Sequence, residues 1–439
     1  MHFPKDFLQH VRPNPGFSES TFLAAHQQPA PTSIRYNPLK KTPETCTDPV
    51  PWCTNGCSLT ERPIFAQDPL FHAGAYYVQE ASSMFLDTIL RALHVDEKPQ
   101  RILDLCAAPG GKSTLIAACM HPESVLCSNE VIKSRTHALK ENLTKWGMAQ
   151  VVITQNDAED FGALGPVFDI VVADAPCSGS GMFRKDPTAM QSWSLEHVTH
   201  CSKRQERIVQ DIIPAVKPGG WLIYSTCSYA YEENESIVDM LVAKGWTCLQ
   251  NISLHNGIVA SSNGFRFYPD KVNGEGFFIA AIQKPMEDAQ EIYAGSDSVK
   301  PCTPDEIALL KNWLRNDSTA SCFWVKEHLC LLTDDVRKLL PTLAHLHIIQ
   351  CGINIGEIKN KTLVPDHALA MSDFIHPDIP RIEVNSTVAL NYIRKNTIQI
   401  ENIPQGWALI QFQGLVLGWI KSIPGRINNY YPTEWRLRK

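Results

Sequence analysis

Between about residues 76 and 284 the chain alternates short, wholly apolar runs with longer stretches of helical periodicity. The runs are RILDLC (101–106), SVLCSNE (124–130), VVITQND (151–157), FDIVVADAP (168–176) and GWLIYSTCS (220–228). Each has the length and continuous apolarity of a strand buried on both faces. Helices are predicted between them: one after the first run, with Leu115, Ile116 and Cys119 on one face, one over 134–146, and a long one over 195–216. The last should stop at Lys217-Pro218-Gly219-Gly220. GEGFFIAAI (274–282) closes the set. Repeated strand–helix units of this kind predict an α/β fold with a parallel, doubly wound, Rossmann-like sheet.

The pattern changes on either side. Residues 1–75 are rich in proline, with one short strand expected in SIRYNPLK (33–40), and read as a small accessory unit. The unit 76–285 carries the sheet, and 286–303 loses periodicity and reads as a linker. Residues 304–373 mix helix and strand, and 374–439 are short strands broken by Gly and Pro, a small β-rich module.

Composition narrows the classes. A chain of 439 residues with 44 % hydrophobic and 20 % charged residues is ordinary for a folded soluble protein. No stretch reaches the roughly 18 apolar residues of a membrane span, and MHFPKDFLQH has no apolar run behind its charge. A cytoplasmic, monomeric protein with no membrane partner is expected. The 14 cysteines are scattered without a C-x-x-C, so reduced thiols and no metal site are expected. Net charge of −6 argues against strong unspecific adhesion to nucleic acid. From Trp419 onward, however, five basic residues face one acidic residue, and Trp419, Tyr430, Tyr431 and Trp435 are interleaved with them. That mixture suits stacking on single-stranded nucleic acid.

Ligands of doubly wound sheets sit beyond the carboxyl ends of the strands. The first strand delivers Asp104 and then Cys106-Ala107-Ala108-Pro109-Gly110-Gly111-Lys112. A P-loop would need Gly where Cys106 stands, and the G-x-G-x-x-G of dinucleotide sites is absent. Glu130 ends the second strand, where a carboxylate can accept from both ribose hydroxyls, and Asp157 ends the third, where it can take an adenine amino group. A nucleoside with an amino-acid tail, S-adenosylmethionine, fits these strand ends. The fourth and fifth strands end in Asp174-Ala175-Pro176-Cys177 and Ser225-Thr226-Cys227-Ser228, so two thiols should face one crevice. Thiols there suit methylation of cytosine carbon 5, because a thiolate adding at carbon 6 makes carbon 5 nucleophilic.

DLCAAPGGK, DAPCSGSG and YSTCS, preceded by YVQEASSM (77–84), resemble the Nol1/Nop2/Sun family of RNA cytosine-5 methyltransferases over about residues 33–282. The resemblance implies that Cys227 is the nucleophile, that Cys177 helps release the product, that Asp174 contacts the cytosine ring and the cofactor's reacting end, and that Lys112 lies at the active site. Arg135 and Asn142 also match family positions and are expected to hold their helix in place. DNA enzymes of similar chemistry use the cysteine of Pro-Cys as nucleophile, so the division of roles between the thiols rests on the resemblance. Adenine amino methyltransferases carry a different fourth-strand motif. GEIKNKTLVPDHALAMS (356–372) and GLVLGWIKSIPGRINNYYP (414–432) are similar to the PUA-like tail of a bacterial ribosomal-RNA branch of the family. That similarity makes small-subunit rRNA, or the ribosomal subunit carrying it, the leading acceptor and tRNA the second. A non-catalytic RNA-binding assembly factor on the same fold is the alternative of a different class; a small-molecule or DNA methyltransferase would leave the accessory unit and tail without a job.

Overall fold

The computed structural model of the protein describes residues 2–40, 46–250, 252–286, 299–316 and 319–438. Helices Phe7–Val11 and Glu19–Ala25 lead into an antiparallel sheet of β1 (Thr32–Tyr36), β2 (Gly56–Leu59) and β3 (Tyr76–Val78), in the order β2-β1-β3. Its third strand lies past residue 75, so the small sheet borrows from the unit that follows. Phe7, Val11 and Phe22 bury themselves against Phe183, Trp193, Tyr229 and Tyr268, since two short helices have too little apolar surface to form a core alone. Cys46 and Cys57 are joined in a disulfide with Cα atoms 5.7 Å apart. This corrects the expectation of reduced thiols throughout: β2 folds back on the preceding segment and brings the two residues within bonding range.

The central sheet contains β4 (Arg101–Asp104), β5 (Val125–Asn129), β6 (Val151–Thr154), β7 (Phe168–Asp174) and β8 (Val216–Thr226), all parallel, in the order β8-β7-β4-β5-β6. Alternate side chains serve opposite faces. Leu103, Cys127, Val152, Val171 and Leu222 enter one core, while Ile102, Leu126, Ile153, Ile170 and Ile223 enter the other. Strand β4 lies between β7 and β5, so the winding reverses there and a crevice opens past the carboxyl ends.

The sheet is mixed rather than wholly parallel. After β9 (Thr247–Cys248), β10 (Val259–Ala260) and β11 (Phe265–Phe267), strand β12 (Phe277–Gln283) runs antiparallel to β8, and β11 and β10 extend the sheet beyond it. The long helix spans Leu195–Ile212, capped by Ser194, and buries Val198, Cys201, Gln205, Ile208, Val209 and Ile212 along one stripe. It ends short of the expected residue 216 because Pro214 has no N–H to continue it; Lys217-Pro218-Gly219-Gly220 lies inside β8.

Of the expected linker, 287–298 lie outside the described residues, and β13 (Val299–Pro301) is already a strand. It joins β14 (Ala320–Val325), β15 (His328–Thr333), β17 (Ile353–Lys359) and β18 (Thr362–Pro365) in an antiparallel sheet. The intervening β16 (Ile348–Cys351) leaves that sheet and pairs with β6, adding an edge to the central one. Leu332, Val336, Leu339, Leu343 and Leu346 share a core with the central strands, so 304–373 is fused to the central unit rather than set apart. The last module holds β19 (Arg381–Glu383), β20 (Gly406–Phe412), β21 (Leu415–Ile423) and β22 (Arg426–Asn429) with helix Ser386–Ile393, and Ala73 of the N-terminal unit enters its core. No helix among the described residues is long and apolar enough to cross a membrane.

Candidate active site

The apolar register of β4 buries Asp104 completely, where its carboxylate accepts from Ser113 Oγ at 2.6 Å. Burial pushes its pKa up to about 7, against the pull of Ser113 and Lys112. The chain then turns through Cys106, Ala107, Ala108 and Pro109. Burial drives the Cys106 thiol well up, which makes it a packing group rather than a nucleophile. Gly110 has φ +116°, a backbone conformation that needs glycine, and it precedes helix Gly111–Cys119, whose first N–H groups have no partner within the helix.

This loop is clamped from outside. Arg135 Nη2 donates to Ala108 O at 2.6 Å, and Asn142 Nδ2 to Pro109 O at 2.8 Å. The two residues thus fasten the loop, a sharper task than the expected one of steadying their own helix. On the other side buried Arg35 donates to Thr114 Oγ1 at 2.5 Å and to Gly111 O at 3.3 Å. Arg35 was not singled out from the sequence; an arginine between Ile34 and Tyr36 in the short strand β1 was its one signal.

Glu130 is buried at the end of β5. One oxygen accepts from Ile132 N at 2.9 Å; the other lies 3.3 Å from Arg135 Nη1 and accepts no hydrogen bond. A buried carboxylate oxygen with spare acceptor capacity fits a ribose hydroxyl. Asp157, half exposed, caps helix Ala158–Gly162 through Ala158 N at 2.7 Å, so its carboxylate already has a structural task. Asp174 receives Lys112 Nζ at 2.8 Å on one oxygen and Ser225 Oγ at 2.8 Å on the other. The Lys112 ammonium also sits 5.1 Å from the Phe277 ring centroid.

Asp174 and Ser225 are register partners on β7 and β8, so the loops that follow run side by side. Cys177 Sγ and Cys227 Sγ lie 3.1 Å apart, both partly accessible. The contact with Cys227, and then burial, hold the Cys177 thiol well above its ordinary range. Gly181 backs the pair: its N–H donates to Cys227 O at 2.8 Å, and a Cβ there would come within 2.2 Å of Gly276 O. Both loops are also tied to buried Glu233, which sequence reasoning missed because Glu232-Glu233-Asn234-Glu235 looks like a solvated acidic helix start.

The C-terminal aromatics are arranged otherwise than expected. Trp419 and Tyr431 are fully buried; Trp419 Nε1 donates to Asp366 O, and Trp435 packs edge-on to His367. Trp419 fills the core shared with the preceding unit, and Tyr431 and Trp435 pack in that of the last module, so they form no stacking platform. Tyr430 alone of the four is exposed, 4.4 Å from the Trp407 ring centroid.

Comparison with known proteins agrees with this geometry. Residues 91–283 match the family described as 16S rRNA methyltransferase RsmB/F. Residues 3–81, 309–372 and 380–437 match the N-terminal, first C-terminal and PUA domains of RsmF. The ribosomal RNA small subunit methyltransferase F of Enterobacter sp. (strain 638) is 31 % identical, covering 98 % of this chain and 95 % of that one. Its counterpart in Shigella boydii serotype 4 is 30 % identical over 99 % and 96 %. Among solved structures, a methyltransferase homologue from Pyrococcus horikoshii superposes with a TM-score of 0.54 at 29 % identity, covering 64 % of this chain and 95 % of that one. NSun6 from the same organism, solved with SFG, shares the fold at a TM-score of 0.55 and 22 % identity, over 65 % and 99 %. Matched along nearly its whole length, with both cysteine motifs and all accessory modules in place, the chain belongs to the RsmF-type 16S rRNA methyltransferases of the Nol1/Nop2/Sun family.

Proposed function

We propose that the protein methylates carbon 5 of a cytosine in small-subunit rRNA, using S-adenosylmethionine and a transient bond from Cys227 to carbon 6. The observation that carries this reading is the pair of sulfurs 3.1 Å apart, on partly buried residues at strand ends adjoining the Lys112–Asp174 pair. The cofactor supplies an electrophilic methyl group. The glycine turn at Gly110 and Gly111 would accept its amino-acid end, with Cys106–Pro109 walling the loop. The free Glu130 oxygen would take the ribose, and Asp157 would meet the adenine edge.

Cys227 as thiolate adds to carbon 6, and the displaced ring electrons reach the edge that Asp174 and Lys112 face. Their proton-bearing contact meets the charge gathering on ring nitrogen 3. Carbon 5, now nucleophilic, takes the methyl while the bonding pair stays on the donor sulfur. Cys177 then hands its proton to the departing Cys227 sulfur and takes the carbon 5 proton in its place. The ring double bond returns, and both cysteines end as thiols.

Bisulfite sequencing of total RNA from cells with and without this gene tests the reading. One protected cytosine in 16S rRNA should become convertible in the deletion. A protected site lost from tRNA instead, or from no RNA, would overturn it.

A further inference from the structure

Glu233 is fully buried and has no basic partner among the described residues. Its surroundings are all donors. One oxygen accepts Ser178 N–H at 2.7 Å and Gln205 Nε2–H at 3.3 Å; the other accepts Ser178 Oγ–H at 2.5 Å and Ser228 Oγ–H. Burial raises the pKa of this carboxyl, and the donors aimed at both its oxygens pull the other way, toward the ionised form. Ser178 follows Cys177 and Ser228 follows Cys227, so one carboxylate fastens both thiol-bearing loops. The tie is reinforced on every side. Tyr224 Oη donates to Glu233 O at 2.6 Å, Gln205 Nε2 to Pro176 O at 2.9 Å, and Asn234 Nδ2 to Ser228 O at 2.8 Å.

A neutral amide could also fill this place, its oxygen accepting the two N–H groups and its NH2 donating to the serine hydroxyl oxygens, and burying a charge without a counter-ion is unfavourable. The charge therefore calls for a use beyond tethering. On the reading proposed above, two thiols in contact must be kept unequal, one to attack and one to retain its proton. We propose that Glu233 is a positioning residue that sets this inequality: its carboxylate fixes the Sγ–Sγ contact and lays negative charge beside Cys177, so that the pair's proton stays on Cys177 and Cys227 is left to attack. Its field adds to that of Cys227 in holding the Cys177 thiol up. The other titratable groups around the pair are Tyr224 on β8, Cys201 on the long helix, with Arg204 near it, and the Lys112–Asp174 pair. Burial pushes Cys201 and Tyr224 toward their neutral forms, and Asp174 is paired with Lys112, which leaves Glu233 as the nearby carboxylate without a cationic partner among the described residues.

Iodoacetamide labelling of the full-length protein, mapped by peptide mass spectrometry between pH 7 and 9, reads the inequality without cofactor or RNA. In the wild type Cys227 should label about ten times faster than Cys177 or more, since a neighbouring charge moves a thiol by roughly one unit or more. In Glu233→Gln, with folding checked by its melting curve, that ratio should fall about tenfold, with Cys177 labelling at lower pH. A folded Glu233→Gln protein that keeps the wild-type ratio would refute the proposal, as would a wild type in which Cys177 labels first. If the Gln variant does not fold, Ser228→Ala, which keeps the charge and removes one tether, should lower the ratio about threefold; an unchanged ratio again refutes it. A wild type that labels as expected yet transfers no methyl group to RNA would instead count against the function proposed above.

Discussion

Removing one sulfur of the pair at a time separates two steps that share one pocket. Cys227→Ala should lower methyl incorporation into RNA to below about one-thousandth, the scale expected for loss of a nucleophile, with cofactor binding by calorimetry unchanged. Cys177→Ala leaves the nucleophile but removes the proton carrier 3.1 Å away, so turnover should stall after methyl transfer. The stalled species is a protein–RNA adduct that survives denaturing electrophoresis and is absent from the double variant. Exchanged phenotypes would reverse the roles. At this scale the two cysteines stood out in the sequence because strand ends in a doubly wound sheet converge, whereas Lys112 and Asp174 entered as active-site residues through the resemblance. Glu233 stayed hidden, since a buried acid and a solvated one are spelled alike, and only the hydroxyls of Ser228 and of Ser178, 55 residues away, tell them apart. Trp419 and Tyr431 went astray for the converse reason. Aromatics among basic residues suit stacking, but Trp419 fills the core shared with the preceding unit and Tyr431 that of the last module itself.

The loop Cys106–Gly111 buries Ala107 and Ala108 in the core and is held on its outer side by neighbouring elements. Helix Lys133–Trp146 supplies Arg135 and Asn142, and β1 supplies Arg35. Arg135→Ala removes both the donor to Ala108 O and the cation 3.3 Å from Glu130. A charge-assisted hydrogen bond contributes about 1.5–3 kcal/mol, so cofactor affinity should weaken roughly tenfold to a hundredfold. Asn142→Ala, which loses a neutral bond, should weaken it by less than about tenfold. Calorimetric titration with the cofactor compares them, and equal affinities in all three proteins would show that the loop holds its shape unaided. Element types in the central unit were legible because its strands are apolar throughout. Boundaries were less so where a proline outweighed a glycine pair, as Pro214 did over Gly219-Gly220. The crossing of β16 to the edge of β6 was not legible at all: a four-residue strand carries no mark of which sheet it will join.

The accessory units are mounted on the central one through buried junctions rather than strung from it. His72 of the N-terminal unit meets Tyr431 of the last module, Nδ1 to Oη at 3.2 Å, while His367 lies edge-on to Tyr431 and Trp435 with neither ring nitrogen hydrogen-bonded. Lys40 donates to Lys145 O at 2.7 Å, joining the same unit to helix Lys133–Trp146. Burial, with Lys145 nearby, lowers His72 to about 4 and His367 to about 3, and burial lowers His26, beneath the N-terminal helices, to about 4. All three are therefore neutral in the folded protein, whereas an unfolded chain takes up protons near pH 6.5. The stability they contribute is complete above about pH 6.5 and falls as the pH drops toward their folded values, because only the unfolded state gains protons in that window. Each can remove up to about 1.4 kcal/mol per pH unit there, before most carboxylates titrate. Urea denaturation at pH 7.5, 6.5 and 5.5 should show a midpoint that falls slightly over the first step and about three times as far over the second. His367→Phe, which keeps an aromatic ring between Tyr431 and Trp435 and removes the titrating group, should reduce that drop by about a third. The drop persisting in full would assign it to groups outside the junction. Since His72 and His367 join separate modules, their protonation should unfold the modules together, as a single transition by fluorescence and circular dichroism.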